Sequence, residues 1–262
     1  MRLFIEFDNH QLSFSTDVDE AYAFMNESFE AMLAPSLEHA AGELVLVRTQ
    51  TGYLLKTAND FSFEGIPISE LLPLLKDEVR LQLMRSRPDL LWLHAGVVAK
   101  SGRALLLAGT SGQGKSMLTT SLSEIGWRFL SDDVAPIEMS DDVVLPFLQT
   151  PVRRLHPGRE VTREELGTLH RVPVKVRSEN LHRQPIPIGA VVFITYESGE
   201  QARLQELDNG PAAMELLRNA TNFFDHRAAA VFRAAGLAVR VPMYKLVYGA
   251  TADAVSLLCD LF

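Results

Sequence analysis

The chain of 262 residues has a single cysteine, Cys259, which excludes an intramolecular disulfide and any cysteine-based metal site. It has no apolar run near the about eighteen residues that signal a membrane span. The longest runs, Leu90–Val98 and Ala104–Ala108, are strand-sized. It has no basic excess either: 25 Lys+Arg against 33 Asp+Glu leave a formal net charge of −8, the wrong sign for a general nucleic-acid binder. Met1–Asp8 places acids where a signal peptide would be basic and then apolar, so no export signal is read there. Internal repeats and low-complexity tracts are missing as well. What remains is ordinary globular composition, 47% hydrophobic and 22% charged, in a chain sized for one large α/β domain or a large one plus a small one. A cytoplasmic protein with no nucleic-acid and no membrane partner is expected.

Residues 1–89 read as a small α+β unit. Arg2–Phe7 and Gln11–Ser15 alternate apolar and polar positions around Asp8-Asn9-His10, as in a hairpin. Asp17–Leu33 has apolar residues at helical spacing before Pro35, Glu43–Arg48 and Tyr53–Lys56 form a second hairpin around Thr51-Gly52, and Ile68–Ser86 reads as a helix. Residues 90–262 form the second unit, an α/β domain. Leu90–Lys100 and Ala104–Ala108 are strands joined at Ser101-Gly102, a helix starts at Lys115 and ends before Gly126, and Trp127–Ser131 is the next strand. Residues 137–187 are irregular, with six prolines between Pro146 and Pro187 and a weak helical pattern near Thr162–Thr168. Beyond them come a strand (Ala190–Tyr196), a helix (Pro211–Ala220), a strand pair or long strand (Leu237–Tyr248) and a helix (Ala252–Leu261) with Thr251 as its N-cap.

Gly109, Thr110, Ser111, Gly112, Gln113, Gly114, Lys115 and Ser116 spell a complete phosphate-binding loop between a strand and an amphipathic helix. Glycines at 109 and 114 let the backbone curl so that successive N–H groups face phosphate oxygens. Lys115 supplies the cation for the β- and γ-phosphates, Ser116 a hydroxyl for the bridging magnesium, and the helix start its positive dipole end. ATP with Mg2+ is the cofactor set this implies.

Asp132 and Asp133 follow sixteen residues after Ser116, at the C-terminal end of a strand expected to run parallel to the loop's own. Ligands in such sheets sit beyond the carboxyl ends of the strands. Adjacent strand residues face opposite ways, so the two carboxylates should differ in role, one binding metal and the other accepting a proton. His94 enters through register. If Ser101-Gly102 is a two-residue hairpin turn, cross-strand partners sum to 203 and His94 lies opposite Gly109, within reach of the nucleotide or of a catalytic Asp. Between Arg153 and Arg177 seven Lys/Arg stand against three Glu, either a solvated face or a docking surface for phosphate or an acidic peptide.

Leu93–Val98, Leu105–Ser116 and Gly126–Asp133 together resemble the catalytic domain of HPr kinase/phosphorylase, and more closely the HPr-kinase-related proteins; Val241–Leu246 resembles that related group too. The resemblance implies a P-loop kinase domain of the HPr kinase type with a mixed central sheet, preceded by the small α+β unit. It maps a proton acceptor for a serine hydroxyl onto Asp132, a metal-proximal acid onto Asp133, and onto His94 the histidine that contacts the catalytic Asp. A homo-oligomer is compatible with it. The family's bifunctional members have a Glu-bearing segment after the acid pair; Pro151–His156 has none, and Arg153 or Arg154 is the candidate for substrate contact there. The expected activity is transfer of the γ-phosphate of ATP to a hydroxyl, foremost a Ser or Thr of a protein or peptide. A small-molecule kinase and a nucleotide-responsive regulatory module with little catalysis are the alternatives.

Overall fold

In a computed structural model, which describes residues 1–36, 40–57, 60–154 and 171–262, the alternation in Arg2–Phe7 (β1) and His10–Thr16 (β2) becomes an antiparallel hairpin. Its turn residues Asp8 and Asn9 both sit at positive φ, 46° and 62°, a conformation Asp and Asn tolerate better than most side chains. The described residues divide into two units, Met1–Pro88 and Asp89–Phe262. In the first, a six-stranded sheet runs β3-β1-β2-β4-β5-β6, with β3 Leu33–Ala34, β4 Ala40–Arg48, β5 Gly52–Lys56 and β6 Phe61–Glu64. Helices α1 (Asp19–Ser28) and α2 (Ile68–Ser86) pack on it, and α2 buries Leu71, Leu75, Val79 and Leu83 at helical spacing. α1 is shorter than its apolar spacing suggests. Phe29 leaves helical geometry at φ −122°, ψ 19°, and the chain closes with a 3₁₀ turn, Glu30–Met32. β6, Phe61-Ser62-Phe63-Glu64, alternates apolar and polar residues but is only four residues long, and no strand was expected there.

The second unit is mixed α/β. Its main sheet runs β10-β8-β9-β15-β17-β16, where β8 is Ala95–Lys100, β9 Arg103–Ala108, β10 Arg128–Ser131, β15 Ile186–Tyr196, β16 Arg203–Glu206 and β17 Met243–Tyr248. β9, β15 and β17 are parallel neighbours. β7 (Leu91–Leu93), β11 (Ala135–Ile137) and β12 (Val143–Val144) attach in the order β7-β11-β12 to the start of β15. A two-stranded ribbon, β13 (Val152–Arg154) with β14 (Arg171–Pro173), completes the strands among the described residues.

Helix α3 (Lys115–Glu124) and the C-terminal α7 (Thr251–Cys259) share a core with Leu105, Leu107, Val192 and Leu246 on one face. α4 (Asn209–Asn219) and α6 (Ala228–Arg240), linked by the single turn α5 (Phe223–His226), share a core with Leu106, Val191 and Phe193 on the other. Leu118 and Leu122 of α3 are fully buried, which stabilises by about 2 kcal/mol each.

The strand leading to the acid pair runs parallel to the loop strand, as expected, with β8 inserted antiparallel between β9 and β10. Two expectations need correcting. Residues 237–240 end α6 and do not begin a strand; the Ala-rich segment is helical, with Phe232 and Val239 left exposed. Thr251 is the first residue of α7, its N-cap is Ala250, and no side chain caps it. The weak helical pattern near Thr162–Thr168 lies outside the described residues.

Candidate active site

β9 delivers the chain to Gly109, whose N–H points back to the His94 carbonyl at 3.4 Å. The β8–β9 register runs from Lys100↔Arg103 to Ala95↔Ala108, every pair summing to 203, because Ser101 and Gly102 form the two-residue turn at positive φ. The loop then turns on Gly112 and Gly114, each at φ 90°. Only glycine fits at 114, since a Cβ there would lie 2.0 Å from the Tyr248 hydroxyl. At 109 a Cβ would stand 3.0 Å from both the side chain and the carbonyl of Ile194. Lys115, 6% exposed, lies across its own loop, donating to the carbonyls of Gly109 at 2.7 Å and Thr110 at 3.2 Å. Ser116 is half-buried in the first turn of α3. The helix stops where expected: Gly126 at φ 96° is its C′ residue, and the N–H groups of Gly126 and Trp127 bond the carbonyls of Ser123 and Leu122.

Asp132 and Asp133 leave β10 just after a bulge between Phe129 and Ser131. They separate as strand alternation demands. Asp132 is 7% exposed. One of its carboxylate oxygens stands 3.4 Å from the Thr119 hydroxyl of α3, the other 3.4 Å from the Val152 N–H of β13. The Thr119 hydroxyl also lies 3.1 Å from the Lys115 carbonyl and 3.2 Å from that of Ser116, alternative acceptors for its one proton, so Asp132 faces the helix that carries both loop functional groups. Asp133 is half-buried with its side chain 39% exposed, and its Oδ1 lies 2.9 Å from His94 Nε2. The expected contact between His94 and Asp132 is therefore corrected: the histidine meets the outer acid. His94 sits where Leu90–Lys100 breaks into two strands, its N–H bonded to the Asn219 carbonyl at 2.7 Å. The break lets β7 join β11 while β8 stays with β9, and it leaves the imidazole at the joint.

The loop, Lys115, Ser116, both acids and His94 thus converge on the carboxyl ends of β9 and β10. Arg153 and Arg154 lie in β13, directly after Val152 at Asp132. Their side chains, like most of the basic segment 153–177, fall outside the described residues. Sequence reading passed over Thr119, although it lies four residues after Lys115 on the same helix face.

A magnesium ion on a nucleoside triphosphate needs one or two protein oxygens, the remainder coming from phosphate and water. Among the described residues no cluster of three or more His, Cys, Asp and Glu could hold a metal alone. A hydroxyl at 116 and a carboxylate facing α3 are hard oxygen donors suited to that smaller share. Glycines at positive φ at 112 and 114 and the Lys115 ammonium lying over the loop suit a phosphate, so the residues fit both groups.

No protein-family model matches the chain, and no curated protein matches it. Among solved structures it is similar to the HPr(Ser) kinase/phosphatase from Coxiella burnetii, with TM-score 0.34 and 10% identity over 65% of this chain and 92% of that one. No helix among the described residues is long and apolar enough to cross a membrane.

Proposed function

We propose that the protein is an ATP- and Mg2+-dependent kinase of the P-loop, HPr-kinase-like type, transferring the γ-phosphate to a hydroxyl, foremost a Ser or Thr of a protein or peptide. The observation that carries this is the hydrogen-bonded pair His94–Asp133, 2.9 Å apart, beside a phosphate loop to which His94 is itself bonded through Gly109. A protein that only senses nucleotide needs the loop and a metal ligand. A second, solvent-reachable carboxylate held by an imidazole is what a phosphotransferase adds.

The exposures divide the work between the acids. Reversing the roles that the resemblance implies, Asp133, which reaches solvent, takes the acceptor's proton, and Asp132, sealed against α3, is the acid for the metal side together with Ser116. The acceptor oxygen forms its bond to the γ-phosphorus as the bond from that phosphorus to the bridging oxygen breaks; the hydroxyl proton passes to Asp133, and ADP leaves. His94 donates Nε2–H to Asp133 and keeps the carboxylate aimed. The loop amides and Lys115, swung from its own carbonyls, hold the phosphate oxygens. Bound Mg2+ supplies charge neutralisation on the β- and γ-phosphates. Arg153 and Arg154 continue from the strand residue that touches Asp132, which suits them to hold an acceptor.

Incubation with γ-labelled ATP and the proteins and peptides encoded beside its gene tests the proposal. Label on a seryl or threonyl side chain is expected. Label appearing only on a metabolite would replace the protein acceptor with a small molecule, and nucleotide binding without any transfer would leave a regulatory module.

A further inference from the structure

We infer that Gln113 and Tyr248 form a clasp that holds the phosphate loop in its nucleotide-binding shape, so that nucleotide affinity is set in part from β15 and β17. The inference rests on the reading of Gly109–Ser116 as a nucleotide site. Gln113 stands at a position where the loop pattern asks for no particular side chain. Yet both its acceptors are engaged outward. Its backbone carbonyl accepts from the Tyr248 hydroxyl at 2.8 Å, and its side-chain Oε1 accepts from the Tyr196 N–H at 2.6 Å. Tyr196 and Tyr248 are the last residues of β15 and β17, paired with each other across the parallel ladder. Their rings meet edge to face with centroids 5.6 Å apart.

The geometry gives the clasp its consequence. A trans peptide is planar, with its C=O and N–H pointing in opposite directions. Holding the Gln113 carbonyl on Tyr248 therefore turns the Gly114 N–H away from β17, fixing the orientation of one of the donors that such a loop offers to phosphate. Tyr248 suits the task. Its ring is 1% exposed, and burial pushes the phenol's pKa up, so the hydroxyl stays protonated and remains a donor. The absence of a Cβ at Gly114 is what lets that hydroxyl approach so closely.

Calorimetric titration of Mg-ADP into the full chain, wild type against Tyr248→Phe, Gln113→Met and the double variant, tests this. Each single variant is expected to bind about fivefold more weakly, the loss of one hydrogen bond. The double variant should lose less than the product, because both bonds hold one residue. Asp142→Asn, at a remote ion pair, is the control for general destabilisation: it should melt earlier yet bind Mg-ADP as the wild type does. The Gly114 amide resonance should shift strongly on adding Mg-ADP to the wild type and less in Tyr248→Phe. Wild-type binding with unchanged affinity in both single variants overturns the clasp alone. An equal affinity loss in Asp142→Asn also overturns it, reassigning the effect to stability. A wild type that does not bind Mg-ADP overturns the nucleotide site and the clasp together.

Discussion

On the β8–β10 flank of the loop Gly109–Ser116 stand side chains that can exchange protons, and on its β15–β17 flank stand side chains that hold. The first flank places the imidazole of His94 against an accessible carboxylate, with a second carboxylate buried behind it. The second places a buried phenol and a backbone N–H on Gln113, a loop residue whose identity the motif leaves open. Damage to the His94–Asp133 pair of the first should therefore lower turnover and spare affinity. Damage to the second should lower affinity, because the nucleotide must then order the loop itself.

The sharpest way to break this division is Asp133→Asn, which keeps shape and hydrogen bonding but cannot accept a proton. Turnover is expected to fall about a thousandfold with Mg-ATP affinity within about twofold of wild type. Asp132→Asn should instead raise the magnesium concentration needed for nucleotide binding, measured by titration at fixed ADP. Equal effects of the two substitutions on turnover would erase the distinction drawn from their exposures.

Next in size is a site on neither flank. Asp142 receives Arg233 at 2.7 Å and Arg240 at 2.7 Å, and the Arg233 side chain is 3% exposed. Removing the carboxylate leaves that guanidinium buried with only the carbonyls of Glu138 and Asp141. Asp142→Ala should cost about 3 kcal/mol in denaturant unfolding without changing nucleotide affinity. The hydrogen bond from Arg240, aided by Arg233, holds the Asp142 pKa at about 2. A depressed acid stabilises above its unfolded pKa, so this contribution is complete above about pH 4 and is lost as pH falls toward 2. The pH dependence of unfolding in that window should flatten in the variant.

His94→Gln tests the first flank more gently. Losing one hydrogen bond to a charged acceptor should lower turnover about tenfold, with affinity unchanged. Smallest is the fivefold affinity loss in Tyr248→Phe, which belongs to the other flank and should leave turnover at saturating nucleotide unchanged.

Local chemistry made part of this legible in the chain. The Ser101-Gly102 turn sets a register that carries His94 to Gly109, and Gly126 stops α3, because both outcomes depend on a few adjacent residues. The bounds of Arg2–Phe7 and Ile68–Ser86 follow from clean periodicity. Long-range pairing was not legible. No local pattern shows that β8 lies between β9 and β10, or that a bulge turns Asp133 and not Asp132 toward His94. Ala228–Arg240 keeps Ala230, Ala234, Leu237 and Ala238 buried at helical spacing, so its helix was legible in the chain although the expected strand overlapped it. The clasp joins residues 135 positions apart, and neither Gln113 nor Tyr248 has a sequence signature.

The most direct measurement is phosphate transfer from γ-labelled ATP by Asp133→Asn, paired with its Mg-ATP affinity. Full affinity with transfer reduced by two orders of magnitude or more is expected if Asp133 accepts the proton beside an intact nucleotide site. Transfer equal to the wild type in that variant would contradict it.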